Sequence, residues 1–178
     1  MRHFALSAIG RDRPGIVAAV TETLLRHGVN VEDSQMSILR GHFSMMLLLA
    51  AADELEAEQL RADLGRTAVE LELEALTINE VEFDEARRPN ATHLITVYGA
   101  DHPGILHAVS STLAGLGVNI VDLTTRLAGE GDDAIYVASF EVLVPGEATS
   151  DVLEARLRET AEQERVEVSV RPIERGTL

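Results

Sequence analysis

The sequence predicts an α+β protein built from two β-α-β-β-α-β units in tandem, each a four-stranded antiparallel sheet carrying two helices on one face. Two observations carry that expectation. The stretch Gly10-Arg-Asp-Arg-Pro-Gly-Ile-Val, followed by a helical pattern and Gly28-Val-Asn-Val-Glu-Asp33, recurs as Gly99-Ala-Asp-His-Pro-Gly-Ile-Leu and Gly117-Val-Asn-Ile-Val-Asp122. Gly10, Asp12, Pro14, Gly15, Ile16, Gly28, Val29, Asn30 and Asp33 reappear at one offset of 89 residues as Gly99, Asp101, Pro103, Gly104, Ile105, Gly117, Val118, Asn119 and Asp122. A fixed offset without a gap marks a duplicated supersecondary unit. The second observation is the order of patterns after each copy: a polar extended run, an apolar extended run, an amphipathic helix and a short alternating segment.

In the first unit, His3 to Ile9 alternate, with Phe4, Leu6 and Ala8 on one side, and Gly10 is expected to stop this strand. Pro14 suits the first turn of a helix, where its missing N–H had no intrahelical partner, and Asp12 stands where a cap would. Ile16, Val20 and Leu24 share one helical face, with Val17 beside them, and Gly28 can take the left-handed position past the helix end. Val29 to Arg40 is extended but polar, the pattern of an edge strand, and Gly41-His42 offers a tight reversal. Phe43 to Ala52 is almost unbroken apolar sequence, which predicts a central strand with something packed on the face away from the helices. Asp53 is expected to open the second helix, with Leu55, Leu60 and Leu64 inward. A last strand carrying Leu76 and Ile78 falls between Leu71 and Phe83.

The domains are expected at residues 1–84 and 93–178, joined by a charged linker over 85–92 that contains Pro89 and no periodicity. The second unit repeats the order: a strand over Leu94–Tyr98, then a helix over Pro103–Leu116 with Ile105, Val109 and Leu113 inward. A strand over Val118–Leu127 follows, then a turn over Gly129–Asp133 and a strand over Ala134–Val144. The unit closes with a helix over Thr149–Glu164 and a strand in which Val166, Val168 and Val170 alternate with polar residues.

Composition removes several kinds of chemistry. Without Cys the chain has no thiol nucleophile, disulfide or thiolate metal site. All 15 basic residues are Arg, which excludes a Schiff-base lysine and a P-loop lysine. A net charge of −15 with no basic stripe repels phosphate backbones, so no direct nucleic-acid binding is expected. No run of about 18 uninterrupted apolar residues is present, so no membrane span is expected and the plain expectation is a cytoplasmic protein.

In each copy the chain turns through Asp-x-Pro-Gly into a helix N-terminus. The N–H groups of Gly15, Ile16 and Val17, or of Gly104, Ile105 and Leu106, together with the helix dipole suit a carboxylate. Asn30 or Asn119 with Asp33 or Asp122 would receive an ammonium, so the pair of features matches a zwitterionic amino acid. The same residues also serve any helix as caps and stops. An odd spacing between Asn30 and Asp33 would turn them to opposite faces of a regular strand, unless Asn30 sits in the preceding loop.

Strand, DxPG, helix, GVN, strand, hairpin, helix and strand together resemble the ACT domain, a ferredoxin-like module that senses ligands on enzymes of amino-acid metabolism and on regulators. The tandem pair is most similar to the glycine cleavage system transcriptional repressor family, over nearly the whole chain. The resemblance implies a non-catalytic protein that binds a small amino acid, with glycine one candidate, at ACT interfaces and acts through a regulatory protein partner. It implies no cofactor. The family's motifs match at Asp12, Pro14, Gly15 and Asn30 and again at Asp101, Pro103, Gly104 and Asn119. The loops differ at Arg13 and His102, where the two copies are expected to part in function. ACT units commonly associate edge to edge through the strand that carries the Asn, and the apolar run from Phe43 to Ala52 suggests a covered sheet face and hence a homodimer stacked through its sheets; a face occluded by the other domain fits as well.

The six histidines do not form a metal-ligand pattern: His102 and His107 are five apart, and His3, His27, His42 and His93 are scattered over strand ends and turns. Ser110-Ser111 lie on a helix without a base. An alternative to the sensor is a regulatory subunit of an amino-acid biosynthetic enzyme. No catalytic residues and no metal ligands are assigned.

Overall fold

The computed structural model describes residues 1–82, 90–129, 134–146 and 150–173. Most of the expected linker, the turn at 130–133 and Thr149 lie outside them. The chain divides into two compact units, Met1–Glu85 and Ala86–Leu178. The first contains β1 (Arg2–Arg11), α1 (Ile16–Arg26), β2 (Asn30–Leu39), β3 (His42–Ala51), α2 (Ala57–Glu70) and β4 (Ala75–Glu80). The second contains β5 (His93–Ala100), α3 (Ile105–Gly115), β6 (Asn119–Ala128), β7 (Ile135–Leu143), α4 (Ser150–Glu164) and β8 (Val166–Pro172). Sheet orders are β2-β3-β1-β4 and β6-β7-β5-β8, with antiparallel pairing throughout. This is the predicted ferredoxin-like arrangement, with the Asn-bearing strands β2 and β6 at edges.

Burial follows the period of two along the central strands. In β1, Phe4, Leu6 and Ala8 are buried; in β3, Phe43, Met45, Leu47 and Leu49 join them. Ile16, Val20 and Leu24 of α1 and Leu60 and Leu64 of α2 close over that face. Unit 2 repeats the layer with Ile95, Val97, Phe140 and Val142 beneath Ile105, Val109, Leu113, Leu153 and Leu157. The apolar run of β3 thus feeds one helix-covered face, while Ser44, Met46 and Leu48 alternate on the other and Met46 is half exposed.

Several local expectations are corrected. Gly10 lies inside β1 and does not end it. A Cβ there would stand 3.0 Å from the Leu73 side chain, so the glycine admits the chain that leads into β4. Helix α2 begins at Ala57, and Asp53 instead pairs with the amino terminus at 3.0 Å. Thr92, placed in the linker by sequence, is bonded to β7: its N–H donates to the Val142 carbonyl at 2.7 Å. The periodicity also overlooked a duplicated clasp between the helices of each unit. Thr23 and Thr67 share a hydrogen bond of 2.8 Å, and Thr112 and Thr160 one of 2.7 Å. Unit 1 adds the His27 ring to Asp63 at 2.9 Å, which holds that carboxyl below the usual range.

Candidate functional site

Each Asp-x-Pro-Gly turn leaves the end of a central strand and enters a helix through a left-handed glycine. Gly15 has φ 99° and Gly104 φ 115°, values that residues with a Cβ rarely adopt. These glycines are the N-caps, so Pro14 precedes the helix and does not occupy its first turn. Asp12 makes no cap bond, because no side chain caps either terminus. The first intrahelical bonds run from Ala19 to Gly15 and from Ala108 to Gly104, both 2.9 Å, which leaves the earlier amides to face the turn. The Ile16 and Ile105 side chains are buried in the cores, so these residues can offer a ligand only their backbone, while Val17 and Leu106 are partly exposed. Asp12 N–H donates to the Gly41 carbonyl at 2.9 Å, tying the turn to the β2–β3 reversal.

Arg13 and His102 each reach the C-terminus of the second helix of their unit. An Arg13 guanidinium N–H donates to the Glu70 carbonyl at 3.2 Å, and Glu70 is the last residue of α2. The His102 Nε2 meets the carbonyl of Glu164, the last residue of α4, at 2.7 Å. Its Nδ1 lies 3.1 Å from the Pro103 carbonyl. These carbonyls and the nearby Glu164 carboxylate raise the His102 pKa above its ordinary value.

The Asn and Asp positions lie at the opposite end of each sheet. Asn30 pairs with Ala50, which pairs with His3 near the start of β1, whereas the turn follows Arg11. Eight residues of strand separate those rows, about 26 Å at about 3.3 Å per residue. One unit therefore does not bring its own turn and Asn together. Asn30 is the first residue of β2, and a bulge between Val31 and Asp33 adds one residue to the strand. Asn30 faces Ala50 and Asp33 faces Leu48, two positions on the same side of β3, so the odd spacing does not separate them. The same shift in β6 sets Asn119 opposite Leu143 and Asp122 opposite Glu141. Beside Asp33 the open face carries a shallow hollow of about 220 Å³, lined by Asp33, Ser34, Gln35, Met46 and Leu48. Among the described residues no cluster of three or more His, Asp or Glu is placed to hold a metal ion.

Residues 2–78 and residues 93–162 each match the ACT domain, and the chain belongs to the ACT domain family with two such domains in tandem. It is 24% identical to the glycine cleavage system transcriptional repressor of Escherichia coli over 150 residues, 84% of this chain and 77% of that protein. It is 28% identical to the phosphoserine phosphatase SerB2 of Mycobacterium tuberculosis over 167 residues, 93% of this chain but only 39% of the phosphatase. The crystal structure of an unknown protein from Galdieria sulphuraria superposes with a TM-score of 0.79 at 24% identity, covering 97% of this chain and 98% of that one. At that identity the likeness speaks to the fold alone. No helix among the described residues is long and apolar enough to cross a membrane.

Proposed function

We propose that this chain is a non-catalytic regulatory protein that binds a small amino acid at ACT edges and acts through a protein partner, in transcriptional regulation. One observation carries the reading. In both units an uncapped, glycine-entered helix N-terminus stands at one end of the sheet, and an Asn and an Asp share a face of the edge strand at the other. Two edges meeting antiparallel set the Asn end of one strand beside the turn end of the other, as unpaired edges favour. Backbone N–H groups then hold the carboxylate of the ligand, and the Asn amide and Asp carboxylate hold its ammonium. Kinship with a transcriptional repressor supports the regulatory part, and glycine is the first ligand to test.

The match to a phosphoserine phosphatase across both units favours a second reading, in which the pair serves as a regulatory subunit of an amino-acid biosynthetic enzyme. Capture of partners from cell extract separates the two: a transcription factor supports the first, an enzyme of amino-acid synthesis the second. A thermal-shift screen over the common amino acids tests ligand binding itself. A ligand present at about 100 times its Kd adds about 2.7 kcal/mol to stability. At least one amino acid should raise the Tm measurably, and a flat response to all of them at millimolar concentration would sink the sensor reading.

A further inference from the structure

We propose that Arg13 and His102 are positioning residues that latch the Asp-x-Pro-Gly turn onto the C-terminus of the second helix of their unit, permanently in unit 1 and in a pH-dependent way in unit 2. The carbonyls that end a helix have no intrahelical partner, and the negative end of the dipole favours a cation there. Arg13 meets the end of α2 through its N–H to the Glu70 carbonyl, with the Glu72 carboxylate 3.8 Å away. A guanidinium carries five N–H donors and stays charged across the physiological range, so this latch does not open with pH.

His102 occupies the same place between the turn and α4 but can lose its proton. Its two ring nitrogens face two carbonyls, Glu164 at 2.7 Å and Pro103 at 3.1 Å. Only the imidazolium can donate to both, since the neutral ring has one N–H and sets a lone pair against the remaining carbonyl. The charged groups facing the ring are the Glu164 carboxylate from α4, 3.9 Å from Nδ1, and Asp101 from its own turn, both of which favour the imidazolium. The Glu164 carboxylate also lies near the left-handed glycine of the turn, 3.5 Å from where a Cβ on Gly104 would stand, whereas Gly15 has no such neighbour. The sign follows. With a folded-state pKa raised above the ordinary 6.5, the latch contributes fully below that value and is lost as pH rises through the raised one. The consequence for ligand affinity in unit 2 rests on the binding reading above; the latch itself does not.

Hydrogen exchange measured by NMR on the full chain reads the latch without a ligand. The amides to follow are Ala108 and Ala19, which close the first helical turn onto Gly104 and Gly15. Between about pH 5.5 and about pH 8.5, a range that brackets histidine titration, the Ala108 protection factor should fall about three- to tenfold. That corresponds to losing one partly exposed charge-assisted hydrogen bond. Protection at Ala19, and at Phe140 in the central strand β7, should stay level. His102→Arg should abolish the fall at Ala108, and Arg13→His should create one at Ala19. A level response at Ala108 in the unaltered chain overturns the proposal. So does a fall that survives His102→Arg, an Ala19 response that stays level in Arg13→His, or a matching fall at Phe140, which would report global opening. Failure of every amino acid to bind would defeat the sensor reading and leave these outcomes unchanged.

Discussion

Replacing Phe140 by Ala should destabilise unit 2 by about 3–5 kcal/mol, the range for emptying a buried aromatic site. Phe140 is fully buried in β7, opposite Ile95 of β5 and Leu123 of β6, and packs in the core beneath α3 and α4. The scaffold around it is sheet on one side and helix on the other, so the site cannot collapse without moving both layers. A unit of this size has about 5–15 kcal/mol in total, so the loss takes up much of its margin. The two hydrophobic clusters contain no shared residue, which confines the expected damage. Denaturant unfolding followed by amide exchange should show early opening of β5, β7 and α4 while β1 and β3 keep their protection. A loss below about 1 kcal/mol would show that the site relaxes freely.

Gly99→Val should have the next largest effect, about 1–3 kcal/mol from overpacking. Even a Cβ at Gly99 would approach the Val166 Cγ1 to 2.8 Å and its Cα to 3.1 Å. The Val166 side chain can rotate, but its Cα belongs to β8, paired directly with Gly99. Two further methyl groups must therefore displace the strand. The expected readout is a lowered denaturant midpoint with little change in slope, accompanied by loss of protection in β8. A midpoint equal to that of the unaltered chain would mean that β8 yields without cost. The equivalent Gly10 is crowded by Leu73 in the same way, so the repeat preserves a packing requirement that sequence alone presents as a strand stop.

The fold was legible because its signals are local. Alternation over Val166 to Val170, the helical stripe of Ile16, Val20 and Leu24, and Gly28 past a helix end each depend on a few neighbouring residues. The candidate site could be read from the sequence as residue types and much less as an arrangement. Whether Asn30 and Asp33 share a face depends on a bulge, and a bulge is defined by register against β3, which strand periodicity does not encode. The partners of Arg13 and His102 are 57 and 62 residues away, so the sequence does not show that both side chains reach the end of a helix. Asp12 and Asp53 are good cap residues by type, but Gly15 and Glu56 hold the N-cap positions, and Asp53 pairs with the amino terminus instead.

The central claim is the proposal that a small amino acid is held by the turn of one ACT unit and the edge-strand Asn of another. Calorimetric titration of the full chain with whichever amino acid stabilises it, repeated on Asn30→Ala and Asn119→Ala, tests that claim most directly. Both residues are exposed in the structure, so neither variant should unfold. Loss of a hydrogen bond to a charged ammonium is worth about 1.5–3 kcal/mol, so at least one variant should bind about tenfold or more weakly. Unchanged affinity in both variants would contradict the account.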